Sequence, residues 1–279
     1  MTIDAGVLSE GPRGRRLCLQ YALACASPEA GSTLGWAIHG RGDHGTSAVL
    51  YVGDPPPEPY VPPVVTTEEA ASALDSIVLA EPTAASLRRA LADSVDAAMY
   101  WQPPDGADLL AAEPAIRASL ARVADVVADS PHARWWSTGA ALGDQWAVPW
   151  DGGAASQDDA HAITAAWRAE ALDEETRWAA QHSRDPHTAW SGTWWSKPPA
   201  ALVHSTRGLG PDGPAGLWFV EDSFGWTSAV ATPVLPASGR VFEIDGPEAW
   251  ADLCRRHPLG VTASRRHDWL RATGRAGEW

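Results

Sequence analysis

The chain has 279 residues, 45% of them apolar, with a formal charge of -14 at pH 7 and a pI near 4.9. That balance argues against nucleic acid or an anionic membrane surface as partner, because both reward basic patches. No apolar run approaches the ~20 residues that a membrane-spanning helix needs.

Three cysteines, Cys18, Cys25 and Cys254, are odd in number and not at metal-ligand spacing, so reduced thiols in a cytoplasmic protein are expected. The apolar stretch from Leu17 to Ala26 follows Arg13, Arg15 and Arg16 but lacks the pattern of a signal peptide. Aromatic composition is the unusual feature: sixteen Trp stand beside only three Phe and four Tyr. Two pairs recur in Trp135-Trp136-Ser137 and Trp194-Trp195-Ser196. Indoles in such number suit a core or cleft walled by flat rings, open to a flat or cationic ligand.

In chain order, residues 12–26 read as a helix with Pro12 in its first turn, although the apolar period is blurred. Leu34–His39 and Ala48–Val52 read as short strands joined by the Gly-rich turn GRGDHG. The segment from Asp54 to Pro63, with six prolines, is expected to run extended over the surface. Thr66 or Thr67 caps a short helix holding Glu68 and Glu69, and Pro82 opens a longer one toward Met99 with Leu87, Leu91, Val95 and Ala98 as its stripe. A further helix is predicted from Pro114 to Ala128 with Ile116, Leu120, Val123 and Val127 on one face.

Residues 131–153 read as an indole-rich loop, and Gln157–His182 as a long helix free of Gly and Pro, on which Trp167 and Trp178 share a face. The C-terminal third is strand-like at Leu202–Ser205, Leu217–Val220, Ser228–Val234 and Arg240–Ile244. It then starts a helix through Arg256 at a capping box, Asp245 to Glu248. These elements predict an α+β fold whose sheet is mainly antiparallel and lies in the C-terminal third. They are read as one domain over 1–279, with a helical lobe at 64–130 and an α+β body at 131–279.

Candidate chemistry concentrates in few places. His39/His44 and His182/His187 match no zinc pattern, and no phosphate-binding Gly loop follows a strand, so neither a metal nor a nucleotide cofactor is expected. Glu113, brought back onto Arg88 beside Tyr100 and Trp101, would form an oriented base in an aromatic wall; an inter-helix ion pair is the alternative. Glu221 and Asp222, between Trp218 and Trp226, are either desolvated acids or a solvated hairpin turn. Arg265 and Arg266, within Ser264–Asp268, can fork a ligand carboxylate or form a structural ion cluster.

Four blocks carry a resemblance: GPRGRRLCLQYAL (11–23), AAMYWQPPDGADLLAAEPAIR (97–117), GPAGLWFVEDSFGW (213–226) and the stretch 240–269. They resemble an actinobacterial family of Trp-rich proteins, which is similar to the microbial Pictet–Spengler cyclases of β-carboline formation. The resemblance implies a cofactor-independent enzyme of secondary metabolism that condenses an aromatic amine or amino acid with an aldehyde. It implies a glutamate as acid/base with an arginine in the same site, roles that fall on Glu113 and Arg88. The ligand would then meet Tyr100, Trp101, Trp135, Trp136, Arg265 and Arg266. Two departures stand out: Pro103 occupies a position where a titratable residue is expected, and the chain is expected to end ahead of the family's C-terminal segment.

Two other readings stay open. One is a non-catalytic protein with structural Trp clusters or a site for an aromatic or cationic ligand. The other is an ADP-ribosyltransferase-like enzyme, suggested by His204-Ser205-Thr206 and Arg240. The expected partner in the first two readings is a small aromatic molecule, with a homodimer as a further expectation.

Overall fold

The computed structural model describes residues 3–42, 61–98, 104–150, 159–181, 199, 202–221, 228–235, 241–261 and 263. The fold is α+β, helical through its first half with a small antiparallel sheet toward the C-terminus. The chain divides into two compact units: Met1–Thr138 with Trp218–Phe224, and Gly139–Leu217 with Gly225–Trp279.

The first unit is built from helices α1 (Ala5–Glu10), α2 (Pro12–Cys25), α3 (Pro28–His39), α4 (Thr67–Ser76), α5 (Ala84–Asp96), α6 (Gly106–Ala112) and α7 (Pro114–Asp129). A 3-10 turn at Pro131–Ser137 follows α7. Each start is written locally. Ser27 accepts from the Ala30 N–H, Thr66 and Glu69 form a reciprocal capping box, and Thr83 and Ser86 do the same for α5. Pro12, Pro28 and Pro114 occupy first-turn positions, where a missing N–H costs nothing.

Helix α2 packs against α1, α5, α6 and α7, so Leu17, Cys18, Leu19, Tyr21 and Ala22 are all buried. A helix enclosed on every side needs no single apolar stripe, which explains the blurred period of residues 12–26. Helix α7 buries the four residues its spacing predicts, Ile116, Leu120, Val123 and Val127. On α5 the buried positions are Leu87, Ala90 and Ser94, while Leu91 is half-buried against the core.

Several expectations are corrected. Leu34–His39 is not a strand but the last half of α3, because the Ser27 cap and Pro28 start a helix that Gly31 and Gly35 do not stop. Helices α1 and α6 fall where no element was expected. The strand expected at Ala48–Val52 lies outside the described residues, as does most of the proline-rich segment.

In the second unit, strand β1 (Gln145–Ala147) lies between β2 (Ser205–Arg207) and β3 (Thr232–Val234), antiparallel to both. Trp146 is opposite Thr206 on one side and Pro233 on the other. Proline cannot donate to a ladder, and Pro233 sits on an edge strand of this sheet. The long helix α8 (Ala160–Gln181) is exposed except for a narrow stripe through Ile163, Trp167, Ala171 and Trp178. The final helix, α9 (Pro247–Arg256), starts at Gly246 without a side-chain cap, so the expected Asp245 capping box is not formed. Leu217–Val220 is likewise not a strand: a 3-10 turn at Ala215–Leu217 leads into irregular backbone.

None of the Trp residues in the described segments is fully buried. The core is Leu, Ile, Val and Ala with Tyr21, whose hydroxyl donates to the Ala80 carbonyl at 2.7 Å. These described indoles therefore lie at margins and half-open surfaces, not at the centre of packing. Among the described residues no helix is long and apolar enough to cross a membrane.

Candidate functional site

Glu113 is the N-cap residue that joins α6 to α7, set in extended backbone ahead of Pro114. Its carboxylate is taken by Arg41, which follows α3. The Arg41 Nε donates to Oε1, and Nη2 donates to Oε2 at 3.2 Å. Thr67, at the first position of α4, donates its hydroxyl to the same carboxylate and accepts from Arg41 Nη2 at 3.0 Å. Arg41 is completed by a 2.8 Å bond from Nη1 to the Ala37 carbonyl. Four helix ends, those of α3, α4, α6 and α7, are thus gathered on one ion pair.

The Arg41 hydrogen bond holds the Glu113 carboxyl below its ordinary value; burial opposes this, and the Thr67 bond and the Arg41 charge add to it. A general base working near neutrality needs the opposite displacement. The expected Glu113–Arg88 pair is therefore corrected: Glu113 pairs with Arg41, and its geometry is that of a structural carboxylate.

Arg88 is placed elsewhere on the first unit. Its guanidinium carbon lies 4.2 Å from the centroid of the Trp218 ring, in cation–π contact. Together they form part of a hollow of about 230 Å³ along α5, lined among the described residues also by Ala85, Arg89, Ala92 and Asp93. Small side chains one turn to either side of the arginines leave this face of the helix open. Arg89 Nε donates to Asp93 Oδ1 and Oδ2 at 2.9 and 3.1 Å, an i,i+4 pair on the exposed rim.

The backbone that presents Trp218 is fixed by its neighbour. Phe219 stacks on Trp135, with centroids 6.2 Å apart and planes 20° apart, and Trp135 meets Trp136 edge-on at 6.1 Å. Trp136 packs against the core with its indole N–H buried and without a hydrogen-bond partner. Trp135 and Trp136 thus hold up the Trp218 segment and are not themselves among the residues lining the hollow.

A second ion cluster is structural. Arg16, buried in α2, reaches Asp105 at 2.6 Å and Asp108 at 3.3 Å, and Arg13 pairs with Asp108. Burial pushes Asp105 up, but the Arg16 bond, backbone N–H donors and the Arg16 charge outweigh it and leave its carboxyl below the ordinary value. These contacts hold the start of α6 against α2.

Of the other expected site residues, Tyr100, Trp101, Arg265 and Arg266 lie outside the described residues, as do Asp222, Trp226 and Arg240. Glu221 is half-buried after Val220. His204 is exposed, with Nε2 3.1 Å from the Pro199 carbonyl. Among the described residues no group of three His, Cys, Asp or Glu is disposed to hold a metal. Arg41, Asp93 and Phe219 were missed by sequence reading. Arg41 and Glu113 are 72 residues apart, and no local pattern links them. The chain matches no protein-family model, no curated protein and no solved structure.

Proposed function

We propose that the chain binds a small aromatic molecule carrying an acidic group, of which an aromatic amino acid is one type, in the hollow beside Arg88 and Trp218. The observation that carries the reading is the Arg88 guanidinium held over the Trp218 ring at the edge of an open hollow. An indole face supplies stacking area for a flat ring, and a guanidinium supplies a planar fork for a carboxylate. Holding Arg88 over the ring also limits the rotamers it would lose on binding.

Size favours this class over the transferase reading. Pockets for drug-sized ligands run from about 300 to 1,000 Å³, and the hollow at about 230 Å³ suits one or two fused rings rather than NAD. Recognition without turnover is the form supported best, because the carboxylate expected to act as base is committed to Arg41. A cyclisation here would form an iminium from amine and aldehyde with loss of water. Attack by the ring carbon and loss of its proton would follow, and among the described residues of the wall the carboxylate to accept that proton is Asp93.

Isothermal titration with indole-3-propionate tests the reading on the full chain. Saturable binding that weakens at least about tenfold in Trp218→Ala and in Arg88→Ala, but less in Arg88→Lys, is expected. Binding unchanged by both truncations would place the site elsewhere. Mass spectrometry of the chain with tryptophan and acetaldehyde separates recognition from cyclisation.

A further inference from the structure

We infer that helix α9 is a self-association surface on which a second copy of this chain pairs antiparallel. The surface belongs to the second unit and is independent of the reading above. No residue of α9 is buried. Ala249 and Leu253 are half-buried on one side of the helix, while Pro247, Trp250 and Cys254 are exposed on the other, Trp250 to 57%. The stretch leading into the helix is apolar and exposed as well, at Val241, Phe242 and Ile244. The Arg256 guanidinium reaches back to 4.9 Å from the Phe242 ring centroid, so this lead-in lies along the helix and extends its open face. An indole and three further large apolar side chains left open together mark a surface that a partner covers.

Charge selects the partner. On a chain of charge -14, α9 is locally neutral: Glu248 and Asp252 precede Arg255 and Arg256. Two acidic copies repel over most of their surface, but not here. Arg256 is taken by Asp252 within the helix. Glu248 and Arg255 are exposed and form no ion pair among the described residues. They stand seven residues apart, two turns, and so share one edge of the open face. In an antiparallel pair the same edge of each helix meets its copy. Glu248 then faces Arg255 of the second copy, and the two-fold axis forms the reciprocal pair at once. Ala251 and Cys254 lie between the charged edge and Trp250, small enough for the two helices to approach closely. A foreign helix would have to carry this charge order in reverse, whereas a second copy presents it by symmetry.

Size sets the strength. A ten-residue helix is only about 15 Å long. With its lead-in it falls short of the ~800 Å² per partner of a standard stable interface, so association is weak and reversible, with a Kd of about 10–100 µM.

Sedimentation equilibrium of the full chain between about 10 and 300 µM is expected to show monomer passing to dimer. Glu248→Arg and Arg255→Glu should each weaken association at least about tenfold, because like charges then face each other twice. Mixing the two variants should restore dimers, since each helix again meets its opposite. Both charges also suit the dipole of their own helix, so recovery on mixing is the readout that a mere loss of helix would not give. Thermal melts confirm that both variants fold. A short bismaleimide should link two wild-type copies through Cys254, and Cys254→Ser should abolish the link. Association indifferent to both reversals, or weakened by each without recovery on mixing, would overturn the inference. A monomer at every concentration overturns it too. In that monomer, Cys254 resistant to maleimide would assign the cover to the chain itself, and Cys254 that reacts freely would assign it to a different protein.

Discussion

Glu113 illustrates how one guanidinium decides what a carboxylate can do. At a helix start beside aromatic residues it reads as a base, yet two bonds from Arg41 and one from Thr67 fix it in the charged form. Such a group contributes stability above its ordinary value of 4.5, and that contribution is lost as pH falls through the lower value it has when folded. Glu113→Gln should therefore cost about 1–2 kcal/mol at pH 7, a figure reduced because the pair is partly open to water. It should also flatten the decline of melting temperature between about pH 5 and 3 relative to the wild type. Parallel acid melts of the two proteins check this, and identical slopes would show that the pair contributes nothing. The sequence made Glu113 visible as a residue of interest but named the wrong arginine. Partner choice between positions 72 apart depends on how α3 packs on α4 and α6 and how these pack on α7, which no local spacing encodes. Trp218 was legible only as a neighbour of acidic residues, and its contact with Arg88 again joins distant segments.

Elements were legible where their chemistry is local. Helix α7 shows its stripe because one face is buried and the other wet, and α4 shows its capping box in four consecutive residues. Helix α3 was misread because its glycines and β-branched Ile38 resemble a strand bounded by turns, while its true start signal, Ser27-Pro28-Glu29, lies upstream. Helix α6 was missed since its meaning is tertiary: a Cβ on Gly106 would sit 2.0 Å from the Ile38 carbonyl oxygen and 3.0 Å from its carbon. Glycine is there so that the start of α6 can touch the end of α3. Gly106→Ala should destabilise the protein by about 1–3 kcal/mol, the usual cost of overpacking, although alanine is the better helix former. Urea unfolding distinguishes the two effects. A stability equal to or above the wild type would mean that α3 and α6 can separate without loss.

At the scale of the whole molecule the charge of -14 sets a conflict between two electrostatic terms. Diffuse repulsion among surface acids destabilises the folded chain and is screened over about 10 Å at 0.1 M salt. The pairs that join elements, Arg16 with Asp105 and Arg41 with Glu113, are each at least partly buried and so are screened less. Exposed pairs such as Arg89–Asp93 contribute little at any ionic strength. Relief of repulsion should therefore win at pH 7, and the melting temperature should rise by a few degrees between about 20 and 300 mM NaCl. Near pH 4.9 the net charge vanishes, and the same salt should leave the melting temperature unchanged or slightly lower, since only attractive pairs remain to be screened. A salt-induced fall at pH 7 would mean that the ion pairs outweigh the surface field, and a rise of equal size at both pH values would assign the effect to exclusion of salt from apolar surface rather than to charge.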